Sequence, residues 1–380
     1  MSDLRAGIDE FGHRAALFAA WPRTTAALVM LLSSAVLWVP HLRADQVFRY
    51  WDGPLYLYMS RVFYHVPDAH PFTAYGLTPI YFASHMPLYP LLIRALTVLT
   101  LGHSPAAMLL ATALTSALAA VLFYEVLRQF ELVTSPLWTA VLFSFLPPRW
   151  LIYHSVGATE PLFFCCVFAA FLAYRHERFG WLALFVGLAC LTRITGVLLV
   201  PSFGLALVLR RRWTGAAVVG LSLLALLGLF AYYHFHYGDF FAYSRWNVDR
   251  QGMATFQPFT GLMRAAEGGN YRVAELYVGM YIVYALGTLA LWRHREVFLY
   301  AAAFFLLLAF VLAKDMPRYF LAIAPFSILV GYDAVLSRTA CRWALPLVAY
   351  LGYVAAWTAI PQNMVSRAVW ADLLRVMGAR

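Results

Sequence analysis

Gly180–Leu209 reads GWLALFVGLACLTRITGVLLVPSFGLALVL, an apolar run in which Arg193 carries the only charge. Whether it crosses a membrane once, or turns back at Leu191-Thr192-Arg193-Ile194-Thr195-Gly196, sets the orientation of every helix after it. Arg175 and Arg178 precede the run and Arg210 to Arg212 follow it, and the cytoplasmic ends of membrane helices carry the arginine excess. Both clusters fall on one side only if the run holds two spans, 180–195 and 196–209. At 1.5 Å per residue each half reaches only about 20 Å, against a hydrocarbon core of about 30 Å. The turn is therefore predicted to lie below the membrane surface, where irregular backbone survives only when protein shields it or it borders a wet cavity. Arg193 is predicted to point into that cavity, since an isolated arginine at such depth costs about 2.5–3.5 kcal/mol.

Working outward, the run Pro87–Leu101 presents the same choice. If it spans, Arg128, Arg175 and Arg178 fall opposite Arg210 to Arg212. If it lies along the outer surface as an interfacial helix with Arg94 near its middle, every arginine cluster falls on one side. Spans then sit at 24–42, 105–127, 136–152, 156–174, 180–195, 196–209, 213–237, 273–292, 296–313, 318–336 and 343–360, with the N-terminus cytoplasmic. The composition agrees, because a chain that is 63% hydrophobic and 12% charged is not a soluble domain of this length. The expected fold is an all-α polytopic membrane protein, a bundle of about eleven transmembrane helices in one integral domain over residues 1–380. Its first outer loop, 43–104, carries interfacial helices near 53–66 and 87–101, and a long outer loop runs from 238 to 272.

The formal charge of +10 does not call for nucleic acid, because the arginines stand singly or in short clusters at the ends of apolar runs, where they snorkel. Cys165, Cys166, Cys190 and Cys341 lie in or beside apolar runs without metal-ligand spacing and are assigned to packing. Residues 1–23 are too long and too mixed in charge for a signal-peptide n-region, so 24–42 reads as a retained helix.

In this topology the polar residues that are not cytoplasmic anchors collect on the outer face. They include Asp52, His85, Arg149, His154, Glu160, Arg193, Asp239, Arg245, Lys314, Asp315 and Arg318, with Lys314 the only lysine of the chain. Carboxylates, histidines and cations in an outward-facing pocket suit a reaction on an anionic, lipid-borne substrate: cations hold a phosphate and a carboxylate takes a proton. Plainer readings stand beside these. Asp52 precedes Gly53-Pro54 and reads equally as a helix N-cap. Glu160 before Pro161 is a first-turn acid, Lys314 and Arg318 are interfacial anchors, Asp239 and Arg245 are solvated loop charges, and His154 is structural.

The order of Trp51-Asp52-Gly53, His85-Met86-Pro87-Leu88-Tyr89-Pro90, Ser155-Val156-Gly157-Ala158-Thr159-Glu160-Pro161, Leu191-Thr192-Arg193-Ile194-Thr195-Gly196 and Tyr237-Gly238-Asp239-Phe240-Phe241 resembles the GT-C membrane glycosyltransferases. Within them it is most similar to the family of the second mannosyltransferase of glycosylphosphatidylinositol anchor synthesis, PIG-V, and its bacterial relatives. A weaker echo follows at Lys314-Asp315-Met316-Pro317-Arg318-Tyr319, and His85-Met86 stands where relatives carry Phe-Phe. The resemblance implies transfer of a sugar, mannose in that family, from a polyprenyl-phosphate donor to a lipid or glycan acceptor on the outer face, with inversion. The residues fit that chemistry on their own terms: Asp52 is the candidate base, Arg193, Lys314 and Arg318, each at the outer end of a helix in this topology, are the candidate donor-phosphate ligands, and His85, His154, Glu160, Asp239 and Arg245 are the candidate substrate contacts.

No cofactor and no metal are expected, since no Asp-x-Asp pair or histidine cluster occurs in the outer loops. The partners expected are the donor, the acceptor and membrane lipids. Absence of N-glycosylation sequons in the outer loops points to a bacterial inner membrane. A transporter or flippase of a lipid-linked sugar would share the helices and the cationic cavity, but the polar residues crowd one face and no repeat relates the halves, whereas transport needs access from both sides.

Overall fold

The computed structural model describes residues 20–41, 45–250, 252, 257–267, 271–311 and 315–378. Among them the regular elements are helices, apart from one isolated antiparallel bridge between Tyr50 and Met364. Four helices are long and apolar enough to cross a membrane: Ser104–Gln129, Trp213–Tyr237, Val273–Arg293 and Thr339–Gln362. The remaining expected spans are shorter or broken. The stretch 136–152 is divided into Pro136–Leu142 and Pro148–Tyr153, because Pro147-Pro148 removes two backbone donors in succession. The stretch 318–336 is a relay of short turns ending in Asp333–Leu336.

Gly180–Leu209 turns back on itself. Phe179–Thr192 ends at Arg193, whose backbone is extended (φ −148°, ψ 136°), and the short turn Ile194–Leu198 leads into Leu199–Leu209. Arg212 bonds Glu177 at 2.8 Å, joining the far ends of the two arms. Gly196 permits the tight fold-back, because a Cβ there would lie 2.5 Å from the carbonyl carbon of Ala189 and the nitrogen of Cys190.

The interior is built on Ser104–Gln129, which packs against Pro22–Trp38, Leu88–Thr97 and Glu160–Arg175. Its buried positions are mostly small, including Ala111, Ala113, Ser116, Ala119 and Ala120, which lets neighbouring backbones approach closely. Beyond them lies an aromatic core. Phe164 and Phe168 stack at 5.5 Å, and Phe143 and Trp150 at 5.1 Å. Acid–base pairs gather at one end of the bundle: Glu125 with Arg23 and Arg128 at 2.6 and 2.7 Å, and Glu296 with Arg210.

Residues 45–103, ahead of the Ser104–Gln129 helix, fold into a compact cap. Asp52–Val62 is a helix as expected, but Gly53 to Ser60 are all buried. Residues 71–84 and a helix at Arg367–Met377 close over it. Leu88–Thr97 is the expected short amphipathic helix, burying Tyr89, Pro90 and Ile93. The Arg367–Met377 helix lay beyond the last expected span and was not foreseen. Ser366 Oγ caps it by accepting from Val369 N at 3.2 Å, and Val369, Trp370, Leu373 and Met377 supply its buried face.

Candidate active site

Asp52 opens its helix without capping it: no side-chain cap bond is present and the N-cap position is Trp51. Its carboxylate is instead paired with Nη1 of Arg318. Arg318 also bonds Glu160 Oε1 through Nε at 2.5 Å, and Arg193 reaches the same Oε1 through Nη1 at 2.7 Å. Arg193 Nη1 further bonds Thr159 Oγ1 at 3.1 Å. The Arg318 guanidinium lies over the Tyr153 ring, 4.4 Å from its centroid. Alongside, Asp315 accepts from Tyr153 OH at 2.9 Å and pairs with Arg149. Side-chain exposures of 16% for Arg318, 17% for Asp52 and 4% for Glu160 mean these charges are largely removed from water, so each requires its partner.

Four separate parts of the chain converge here. The Asp52 turn is set against the loop before Glu160 by a glycine–glycine contact, since a Cβ on Gly157 would lie 2.7 Å from Gly53 Cα and 2.4 Å from Met108 Sδ. Glu160 begins the Glu160–Arg175 helix, Arg193 is the extended residue of the fold-back, and Arg318 sits in the short Met316–Tyr319 helix.

The charges border two cavities that meet. One, of about 580 Å³, is polar and is lined by Trp51, Asp52, Tyr56, Tyr81, His85 and Asp315 among others. The second, of about 180 Å³, is walled by Phe163, Phe164, Phe304, Leu307, Leu308 and Val311. Arg193, Arg318, Tyr243 and Asn247 border both. Burial pushes the His85 imidazole down to about 4, so the ring is neutral at neutral pH, with Ser84 Oγ 3.1 Å from its Nδ1. Burial pushes the Tyr56 and Tyr81 hydroxyls up, leaving both protonated and able to donate. His85 is held from behind, because Tyr64 OH donates to its carbonyl at 2.6 Å.

Of the residues singled out from sequence, Asp52, His85, Glu160, Arg193 and Arg318 come together. Others do not. His154 is wholly buried, enclosed by Ser34 Oγ at 2.8 Å, Ser155 Oγ at 3.0 Å and Ser33 Oγ at 3.4 Å; it bonds neighbouring helices and lies outside both cavities. Asp239 and Arg245 pair with each other. Asp239 Oδ1 also accepts from Phe241 N at 2.9 Å, so it forms the turn that launches Tyr243 and Asn247 toward the cavities. The Arg245 guanidinium holds the Asp239 carboxyl below its ordinary range. Lys314 lies outside the described residues. Tyr56, Tyr81, Tyr243 and Asn247 were not picked out from sequence. Among the described residues no three His, Cys, Asp or Glu side chains come together as a metal site.

Residues 87–325 match glycosyltransferase family 87. The chain belongs to that family. Asp52, Tyr56, Tyr81 and His85 precede the matched residues, while Glu160, Arg193 and Arg318 fall within them. The oligosaccharyltransferase of Archaeoglobus fulgidus, solved as a complex with Zn and sulfate, is similar over 93% of this chain with a TM-score of 0.50 and 15% identity. This chain spans about half of that protein, 53% of its length, and at such identity the likeness concerns the fold. No curated protein matches the chain. Membership of glycosyltransferase family 87 and the four helices long and apolar enough to cross a membrane make this an integral membrane protein.

Proposed function

We propose that this family 87 protein transfers a sugar, mannose as in the PIG-V family that its motifs resemble, from a polyprenyl-phosphate donor to a lipid or glycan acceptor at the outer face of a bacterial inner membrane. One observation carries the reading: Asp52 and the Arg193–Arg318 pair adjoin one another where a polar cavity meets an apolar one. A lipid-linked sugar phosphate has that same order of parts. Its isoprenoid chain fits the phenylalanine- and leucine-walled cavity, its phosphate the guanidiniums, and its sugar the chamber of Trp51, Tyr56, Tyr81 and His85.

In a single displacement the acceptor hydroxyl gives its proton to Asp52 as its oxygen bonds the anomeric carbon. The bond from that carbon to the phosphate oxygen breaks on the opposite face, which inverts the configuration. Negative charge then grows on the departing polyprenyl phosphate, and Arg193 and Arg318 stabilise it. Glu160 holds both guanidiniums in place before the phosphate arrives. Asp239 and Arg245 serve the site through the turn that carries Tyr243 and Asn247.

The test uses purified full-length protein, polyprenyl-phosphate mannose radiolabelled in the sugar, and a bacterial lipid extract as acceptor. The expected result is release of polyprenyl phosphate with label in an acceptor lipid. A general base contributes roughly 10² to 10⁴-fold, so Asp52→Asn should lose that factor in turnover and still bind donor. Movement of intact donor between leaflets without cleavage would establish a flippase instead, and near-wild-type turnover by Asp52→Asn would remove the base assignment.

A further inference from the structure

The turn that presents Asp52 is gripped by a segment from the far end of the chain. Trp51 N donates to Asn363 O at 3.0 Å, and Val365 N donates to Arg49 O at 2.9 Å. These bonds flank the Tyr50–Met364 bridge. The Arg49 side chain doubles the grip: its Nη2 and Nε both donate to Val365 O, at 2.9 and 3.2 Å. Arg49 is buried, so its guanidinium is committed to a backbone carbonyl in the interior. The next residue extends the contact toward the cavity, because Ser366 N donates to Tyr75 OH at 2.7 Å and the Tyr75 ring meets Trp51 edge-on at 5.0 Å. Gly53 N bonds Tyr50 O at 2.9 Å within the same turn.

We infer that residues 363–366, fastened by Arg49, form a strap that positions Asp52 for proton removal. The inference rests on the reading of Asp52 as the base. Two contacts fix the turn from opposite sides, the Gly53–Gly157 approach on one and the strap on the other. The strap is absent from the linings of both cavities, so it acts through Trp51 and Asp52 and does not touch the donor. Neither Arg49 nor Val365 lines either cavity, and the two functions are separable. A reacting group displaced by about 1 Å loses on the order of 10²-fold in rate.

Arg49→Met removes both side-chain bonds, Arg49→Lys retains a cation able to make one, and Val365→Pro removes the amide that bonds Arg49 O. Each full-length variant is assayed for kcat and donor KM with polyprenyl-phosphate mannose, and for donor binding at equilibrium. Arg49→Met and Val365→Pro are expected to lose 10- to 100-fold in kcat, with donor binding within about twofold of wild type; Arg49→Lys should recover most of that loss. Equal losses in kcat and donor binding, or no recovery by Arg49→Lys, would make the strap a general stabiliser and overturn the inference. If Arg49→Met does not fold, Val365→Pro decides on the same split between turnover and binding. Wild-type turnover in Asp52→Asn would strike down the base. Loss in Asp52→Asn together with full activity in both strap variants would strike down the strap alone.

Discussion

Arg193 and Arg318 bond the same carboxylate oxygen, Oε1 of Glu160, at 2.7 and 2.5 Å. With Asp52 on Arg318 and Asp315 on Arg149, the described cluster balances three guanidiniums against three carboxylates. An arriving phosphate must therefore take bonds that Glu160 now holds. Glu160→Gln should destabilise the fold by about 3–5 kcal/mol, the cost of stranding a buried partner. It should also lower donor KM, because the phosphate no longer competes with a carboxylate. Thermal unfolding and donor titration measure the two effects, and a raised donor KM would show that the hold of Glu160 on the two guanidiniums outweighs its competition with the phosphate.

Charge reversal at the fold-back separates site from anchor. Arg193→Glu should raise donor KM at least tenfold, whereas Arg178→Glu, at the opposite end of the same helix, should leave it within about twofold. Steady-state kinetics on the two variants check this. Equal effects would mean that Arg193 serves the fold and not the phosphate.

The chamber imposes a pH dependence on stability through His85. Folded, its imidazole is held at about 4 by burial; unfolded, it titrates near the ordinary value of about 6.5. The unfolded chain thus binds the proton more readily, so stability is complete above about pH 6.5 and declines as the pH falls toward 4, by about 3 kcal/mol. His85→Gln should flatten that part of the acid sensitivity. Unfolding temperatures at neutral and mildly acidic pH, compared with wild type, read the difference; parallel curves would contradict it.

His154, enclosed by Ser33, Ser34 and Ser155, should matter for stability and not for transfer. His154→Leu takes the imidazole partner from the buried Ser155 hydroxyl and one bond each from Ser33 and Ser34, which keep their backbone partners, a loss of about 1–3 kcal/mol, while turnover per folded molecule stays unchanged. A selective fall in kcat without loss of stability would return His154 to the reaction.

Gly157 tests the contact that sets the Asp52 turn. A methyl group there meets Gly53 Cα at 2.7 Å and Met108 Sδ at 2.4 Å, so Gly157→Ala must push the two segments apart. The expected outcome is about 1–3 kcal/mol of overpacking strain with a disproportionate loss of turnover, measured as kcat against unfolding temperature across a series of solubilising conditions. Unchanged kcat would mean that the turn yields without moving the carboxylate.

Arg193 was legible in the sequence because two halves of a thirty-residue run are each too short to span, and the strained turn between them needed a wet neighbour. Asp52, His85, Glu160 and Arg318 were legible as polar residues at the same end of the bundle, carried by ordered motifs. His154 resisted the same reasoning, because a histidine beside a helix end looks alike whether it faces a cavity or is enclosed by serines from Pro22–Trp38. Tyr56, Tyr81 and Tyr243 were hidden by their own chemistry, since an aromatic residue near a membrane surface needs no ligand to explain it. The burial of Asp52–Val62 was invisible locally; its apolar stripe is satisfied equally by lipid and by the helix Arg367–Met377, and only long-range folding chooses. The strap had no signal beyond the spacing of Val369, Trp370, Leu373 and Met377 along one helical face.

Arg49 and Val365 are 316 positions apart in the chain, so the two halves of the grip on Asp52 are synthesised at opposite ends of translation. A nascent polypeptide that has inserted its first helices still lacks the residues that hold the Asp52 turn. The Asp52 turn therefore reaches its final setting only after residues made more than three hundred positions later have folded back onto it.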